Sequence, residues 1–409
     1  MRKAIFMLLG GGLASATAAA TLRAEGFDGR VIIVGDECHP PYSRPPLSKD
    51  VLRGEKPPEQ TWLRPPEWYA SKEIELRLGV RAVSVDPGAR DVEMANGEHL
   101  PYDKLLIATG GTPRTLDIPG ADLPGVFFLT KLEDSMAVLE HLVPGAPVVV
   151  IGAGFIGAEV AASVLKLGCE VTVLEISPIP LGRALGPRIG QIYADLHRER
   201  GVNLRTGVGV ERIEGNGRLK RVVASDGQTH DAAVVVIGIG QIPDTGLARR
   251  SGIPVGNGIE VDELCRTGVA DIFAAGDIAY HPNRFLGRHI RIEHWQNAQH
   301  QGAAAARNML GQAKPFHEVP WVWSDQYEHN LQLVGFPDPG EHLVVRGDPS
   351  ERNFSAFFLR DNRVIAALAV NRPQDVRIAR QMIQFGTKVS EPELADLGTN
   401  LHELLVAKS

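Results

Sequence analysis

Cysteine is scarce in this chain. Three occur in 409 residues, Cys38, Cys169 and Cys265, far apart and in no C-x-x-C or metal-ligand spacing, so neither a disulfide framework nor a zinc site is expected. Long apolar runs are missing as well: no stretch approaches the roughly 20 residues that span a bilayer, so no membrane span is expected. Positive charge is not in excess. Lys and Arg number 43 against 49 Asp and Glu, a net charge of −6, whereas a nucleic-acid binder needs a basic face to displace counterions. The amino end, Met1-Arg2-Lys3 ahead of an apolar run and Ala18-Ala19-Ala20, has the outline of a secretory signal. However, Gly10-Gly11-Gly12 interrupts that run, which continues through Thr21-Leu22-Arg23 into a second apolar segment at Val31–Val34. Strand, phosphate loop and helix is the better reading, and the cytoplasm is the expected setting.

Glycine is plentiful, with 44 residues, and a composition of 44% hydrophobic and 22% charged residues suits a soluble α/β protein. The chain is longer than a single hydrophobic core usually supports, so two or three domains are expected. One unit occurs twice. An apolar run, Ala4 to Leu9, leads into Gly10-Gly11-Gly12-Leu13-Ala14-Ser15; a second, Val148 to Ile151, leads into Gly152-Ala153-Gly154-Phe155-Ile156-Gly157. Each run suits a buried parallel strand. Each glycine turn then opens a small-residue helix whose free N–H groups and positive dipole end would face a pyrophosphate. The second copy satisfies G-x-G-x-x-G in full; the first has Ser15 at the last position, which would hold helix and strand slightly further apart.

After each turn a further strand ends in an acid, Asp36 behind Val31–Gly35 and Glu175 behind Val171–Leu174, placed to accept hydrogen bonds from an adenosine ribose. A single such motif is weak, because a glycine-rich turn explains it equally well. Two copies with strand, helix and acid imply two dinucleotides, most simply FAD and a nicotinamide cofactor. A carboxylate at Glu175 roughly 5 Å from the extra phosphate of NADPH costs about 3 kcal/mol per unit charge at an effective dielectric near 20. NADH is therefore the expected nicotinamide, with Arg183 close enough in sequence to blunt the preference.

Two more apolar runs end in small residues: Leu105 to Ala108-Thr109-Gly110-Gly111, before Pro113-Arg114, and Val234 to Ile237-Gly238. They suit strands that reach a cofactor and then cross between domains. Ile272 to Gly276-Asp277 adds a strand whose glycine admits a close approach and whose aspartate can accept from a hydroxyl. The expected fold is α/β, with two Rossmann-like dinucleotide-binding domains in an order that resembles the glutathione-reductase arrangement, and a C-terminal α+β domain. Its segments are 1–110 with 243–319, 111–242, and 320–409.

That order, together with Arg44-Pro-Pro-Leu-Ser-Lys49, Ile272 to Asp277, His294-Trp295-Gln-Asn-Ala298 and Trp321-Val-Trp323-Ser-Asp325-Gln326, resembles the FAD-dependent NADH:ferredoxin reductases of bacterial oxygenase systems, along nearly the whole chain. The resemblance implies FAD held by Gly10, Gly12, Leu13, Ala14, Ser15, Asp36, Arg44, Lys49, Val83, Ala108, Thr109, Gly110, Arg114, Gly276, Asp277, Glu293, His294 and Trp295. It implies NADH held by Gly152, Gly154, Phe155, Ile156, Gly157, Glu159, Glu175, Arg183, Ile237 and Gly238. Asp244 departs from the family, which often has asparagine there.

The implied reaction is hydride transfer from NADH to FAD, followed by one-electron transfers to a [2Fe–2S] ferredoxin that feeds a Rieske oxygenase or a cytochrome P450. Lys49, Glu159 and Trp295 are the implied catalytic residues: an ion pair beside the flavin and an aromatic against its edge. A helix-capping lysine, a solvent-side glutamate and a plain core tryptophan are the structural alternatives. Two other functions stay open. An NADH oxidase or peroxidase calls for a flavin-proximal cysteine, and Cys38, behind the ribose-binding strand, is the only candidate by position. A signalling flavoprotein resembling apoptosis-inducing factor calls for a basic DNA-binding surface. The last segment bears eight basic residues against four acidic ones between Arg346 and Lys388, and Arg284, Arg288 and Arg291 lie upstream. Together they form either a face that steers an acidic ferredoxin or an ordinary solvated surface.

Overall fold

The computed structural model describes residues 2–338 and 340–406. In chain order, β1 (Ile5–Leu9), α1 (Leu13–Ala24), β2 (Arg30–Val34), β3 (Ile74–Arg77) and β4 (Lys104–Ile107) come first. They are followed by β5 (Val126–Phe128), β6 (Pro147–Ile151), α2 (Phe155–Lys166), β7 (Glu170–Glu175), α3 (Pro187–Glu199), β8 (Asn203–Thr206) and β9 (Val234–Ile237). Then come β10 (Ile272–Ala274), α4 (Trp295–Met309), β11 (Trp321–Gln326), β12 (His329–Gly335), β13 (His342–Asp348), β14 (Asn353–Arg360), β15 (Arg363–Val370), α5 (Pro373–Phe385) and α6 (Glu391–Ala395).

Two compact units form. The first takes the chain up to Ser43, Pro58–Thr112 and Ile242–Pro320; the second takes Arg44–Pro57, Pro113–Gln241 and the chain from Trp321 onward. The segment Arg44–Pro57 groups with the second unit for a physical reason. Leu52 is fully buried among Val138, Val150, Val160 and Val164, and the Ser135 and Ser163 hydroxyls donate to the carbonyls of Leu47 and Ser48 at 2.8 and 2.7 Å.

The first unit is built on a parallel sheet in the order β10-β4-β1-β2-β3. All five residues of β1 are buried, as a strand covered on both faces must be. Helices α1 and α4 pack on one face so closely that a Cβ on Gly302 would lie 2.4 Å from the carbonyl oxygen of Ala14. Only small residues permit such an approach, and buried Ala14, Ala18, Ala305 and Ala306 supply them.

The second unit repeats the plan, with a parallel sheet β8-β7-β6-β9-β5. In each sheet the glycine-turn strand is central, the acid-bearing strand lies on one side and a later strand on the other. A third, antiparallel sheet, β11-β12-β15-β14-β13, completes this unit. One of its faces, with Leu331, Leu333, Ala356, Phe358 and Leu368, packs on Leu185, Ile189, Tyr193 and Leu196 of the α3 region. Against β12 and β15 lies α5, whose Val376, Ala379 and Met382 are buried. No helix among the described residues is long and apolar enough to cross a membrane.

Candidate functional site: two matched phosphate cradles and a buried ion pair

The two glycine turns have the same construction. Gly10 has φ +112° and Gly152 has φ +99°, a region L side chains rarely enter. Space forbids a side chain as well: a Cβ on Gly10 would sit 2.2 Å from the Ala108 oxygen, and one on Gly152 2.6 Å from the Gly238 oxygen. The hydrogen bonds correspond too. Gly10 N–H donates to Val34 and Ala108 N–H to Leu9, both at 2.7 Å; Gly152 N–H donates to Leu174 and Gly238 N–H to Ile151, both at 2.8 Å. Helix α1 is N-capped by Gly12 and α2 by Gly154, neither with a capping side chain or an acidic residue in its first turn. Their first intrahelical bonds are Ala16 N–H to Gly12 and Ala158 N–H to Gly154. The preceding N–H groups and the positive dipole end are thus left for an anion, and each turn fits a dinucleotide pyrophosphate.

The third position of the motif differs between the copies. A Cβ on Gly157 would lie 2.0 Å from the Gly152 oxygen. Ser15 occupies the matching place in α1, fully buried, with its hydroxyl unpartnered among the described residues. The downstream acids differ too. Asp36 is exposed, while Glu175 is buried and accepts from the N–H groups of Ala153 at 2.6 Å and Ser177 at 2.7 Å. Glu175 therefore fixes the middle of its own glycine turn as well as ending the strand.

The remaining expected residues divide between the units. Gly10, Gly12, Leu13, Ala14, Ser15, Asp36, Val83, Ala108, Thr109, Gly110, Gly276, Asp277, Glu293, His294 and Trp295 belong to the first; Arg44, Lys49, Arg114 and the NADH candidates belong to the second. In the first unit, Ala108, Thr109 and Gly110 follow β4 beside the turn. Gly276 follows β10, and its N–H donates to Gln301 Oε1 at 2.9 Å. His294 caps α4, and half-buried Trp295 is its first residue; exposed Glu293 pairs with Arg291. Val83 lies in an antiparallel strand, its carbonyl accepting from Arg250 at 3.1 Å. In the second unit, Phe155 and Ile156 begin α2, Ile237 ends β9 with Gly238 next, and Arg183 is exposed with no ion pair among the described residues. Arg44 donates to the carbonyl of Thr130.

Lys49 and Glu159 meet inside the second unit. Lys49 Nζ lies 2.6 Å from Glu159 Oε2, and the carboxylate, 3% exposed, also accepts from Ser48 Oγ at 2.6 Å and from Ser324 Oγ at 2.7 Å. Three donors satisfy a charge that would be costly to bury alone. Glu159 therefore does not lie on the solvent side of its helix. Ser48 and Ser324 give no signal of this in sequence, since the latter is 165 residues from Glu159.

The cysteines stay apart: all three are free, Cys38 exposed, the others buried. Burial pushes the Cys265 and Cys169 thiols up, away from reactivity. The basic run of the last segment is not uniformly exposed and free. Arg346 is buried, its guanidinium donating to the carbonyls of Leu394, Asp396, Leu397 and Thr399. Arg352 pairs with Glu199, Arg360 with Asp338 and Glu341, and Arg372 with Asp375. Arg363, Arg377 and Lys388 are exposed, with no ion pair among the described residues.

Matched nucleotide folds, two phosphate cradles and an antiparallel C-terminal sheet define a flavoprotein reductase of the two-dinucleotide class. The chain belongs to the family described as pyridine nucleotide-disulphide oxidoreductase, matched over residues 6–302, and residues 321–405 match the domain described as reductase C-terminal. It is 40% identical over 405 residues, 98% of each chain, to the 5,5'-dehydrodivanillate O-demethylase ferredoxin reductase subunit of a Sphingobium species. To the anthranilate 1,2-dioxygenase system ferredoxin–NAD(+) reductase component of Burkholderia cepacia it is 40% identical over 401 residues, 98% of this chain and 99% of the relative. A crystal structure of the covalent putidaredoxin reductase–putidaredoxin complex superposes with TM-score 0.95 at 35% identity, covering 100% of this chain and 99% of that one.

Proposed function

We propose that this protein is an FAD-containing ferredoxin–NAD(+) reductase that passes electrons from NADH to a [2Fe–2S] ferredoxin serving a terminal oxygenase. The observation that carries it is the duplicated cradle: two glycine turns with the same steric stops and hydrogen bonds, inside a family defined by pyridine-nucleotide chemistry. FAD, when bound, supplies the conversion of a two-electron hydride donor into two one-electron deliveries. The first unit is assigned the FAD-binding role, through the Gly10–Ser15 turn, Asp36, Val83, the residues after β4, Gly276-Asp277 and Glu293 to Trp295. Arg44, Lys49 and Arg114 are likewise assigned to FAD. The turn Gly152–Gly157, with Ile237, Gly238, Glu175 and Arg183, is assigned the nicotinamide cofactor. Glu175 repels the extra phosphate of NADPH and so favours NADH.

Lys49 is assigned the role of the cation offered to the flavin ring, Glu159 holds it there, and Trp295 shields the ring edge from water. The cytoplasm is assigned as the enzyme's setting, in keeping with its use of NADH. The test is anaerobic mixing of the yellow protein with NADH, then addition of a [2Fe–2S] ferredoxin and cytochrome c. Flavin bleaching followed by ferredoxin-dependent cytochrome reduction is expected; bleaching without ferredoxin dependence would overturn the acceptor, and no bleaching would overturn the cofactor assignment.

A further inference from the structure

Behind Glu159 the hydrogen bonds continue inward. Ser324, which donates to Glu159 Oε1 at 2.7 Å, receives a hydrogen bond from Gln326 Nε2 at 3.2 Å. Gln326 Oε1 lies 3.0 Å from His197 Nε2, and His197 Nδ1 lies 2.8 Å from the Tyr327 hydroxyl. Ser324 and Gln326 are fully buried, and His197 nearly so. They come from one strand and one helix of the second unit: alternate residues of β11 on its inward side, and the inner face of α3.

The direction of each bond is forced. Gln326 offers only its carbonyl oxygen to His197, so Nε2 of the imidazole carries a proton and donates. Burial lowers the pKa of His197 to about 4, so near neutral pH Nδ1 is the acceptor and Tyr327 donates to it. The amide of Gln326, fixed by His197, then presents its N–H to Ser324, whose single proton is left for Glu159. Every donation therefore runs one way, from Tyr327 through His197, Gln326 and Ser324 to the carboxylate that holds Lys49. An amide does not pass protons on readily, so this is an orienting chain rather than a proton wire.

We propose that Ser324, Gln326 and His197 are positioning residues for electron entry: they fix the orientation of the Glu159 carboxylate and thereby where it holds the Lys49 ammonium. The inference rests on the reading that Lys49 and Glu159 serve the flavin. Without Gln326 as donor, the Ser324 hydroxyl is free to turn, Glu159 loses a fixed partner, and Lys49 samples more than one position. A charge displaced by about an ångström changes the rate of a reaction that depends on it by one to two orders of magnitude.

The test is a mutant cycle read by the anaerobic rate of flavin bleaching with saturating NADH, alongside flavin midpoint potential, flavin content and thermal midpoint. Ser324→Ala and Gln326→Met are each expected to slow bleaching about tenfold and to shift the potential while FAD content and KM for NADH hold. In a Glu159→Gln background neither should slow it further. Additive losses in that background, or unchanged rate and potential in both single variants, would overturn the proposal while leaving the role of the ion pair standing. Unchanged bleaching in Lys49→Met and Glu159→Gln themselves would instead overturn the reading beneath it. Should Gln326→Met fail to retain FAD, Ser324→Ala, which removes only a hydroxyl, carries the cycle alone.

Discussion

Glu175 commits both carboxylate oxygens to backbone N–H groups, one of them at the centre of the glycine turn it is assigned to serve. Exchanging it does more than relax a preference between NADH and NADPH. Glu175→Ala leaves the buried N–H of Ala153 without its acceptor, at about 1–3 kcal/mol, so KM should rise about tenfold for both nicotinamides in steady-state reduction assays. Glu175→Gln keeps an acceptor and should raise KM for NADH less. Equal KM values for wild type and Glu175→Ala would show that the turn does not need the latch. Gly152→Ala and Gly10→Ala should separate the two sites, because each forces a Cβ to within 2.6 Å or less of a carbonyl oxygen. Gly152→Ala is expected to keep its yellow colour and lose at least tenfold in NADH affinity by titration. Gly10→Ala is expected to purify depleted of FAD. A colourless Gly152→Ala together with a fully yellow Gly10→Ala would reverse the assignment of the cradles.

At the level of elements, the strand, turn and helix of each cradle were legible because buried parallel strands, glycine turns and small-residue helices all leave local marks. What local marks cannot show is which distant elements supply the partners. Around the Arg44–Lys49 motif, Leu47, Val51 and Leu52 bury in the second unit and bring Lys49 to Glu159, a pair that the family resemblance implied and no local pattern shows. Arg346 read as one more cation on a basic surface. It sits instead at 5% exposure on β13, gathering the carbonyls of the chain from Leu394 to Thr399, with its Nε 3.7 Å from Asp375. Sequence counts charges but does not show that four carbonyls wrap one of them. Arg346→Met should therefore cost about 3–5 kcal/mol, chiefly by stranding those acceptors and the Asp375 carboxylate. It should appear as a lowered thermal midpoint and as protease cleavage near α6, with flavin reduction by NADH largely kept. A variant as stable and protease-resistant as wild type would show that the clamp is dispensable.

Across the whole molecule, each compact unit carries one buried histidine that titrates late. Burial lowers His281 in the first unit and His197 in the second from 6.5 to about 4. Between those values the unfolded chain binds protons that the folded one refuses, so stability falls as pH drops from 6.5 toward 4 and these two groups add nothing below that. Each contributes about 3 kcal/mol over the full window, a large share of what a domain has to lose. Paired carboxylates act later: Glu55, Glu75 and Glu214 are held below 4.5 by their arginine and lysine partners, so their contribution to stability is lost only as pH falls below about 4.5. The upper part of the window thus belongs to the histidines. Thermal midpoints followed from neutral pH downward should be level at first, then fall through it. His281→Gln and His197→Gln, compared with their own neutral-pH values, should each fall less steeply. Parallel slopes in wild type and both variants would mean that neither imidazole is held neutral by burial, and the one-way hydrogen-bond direction argued for His197 would lose its support.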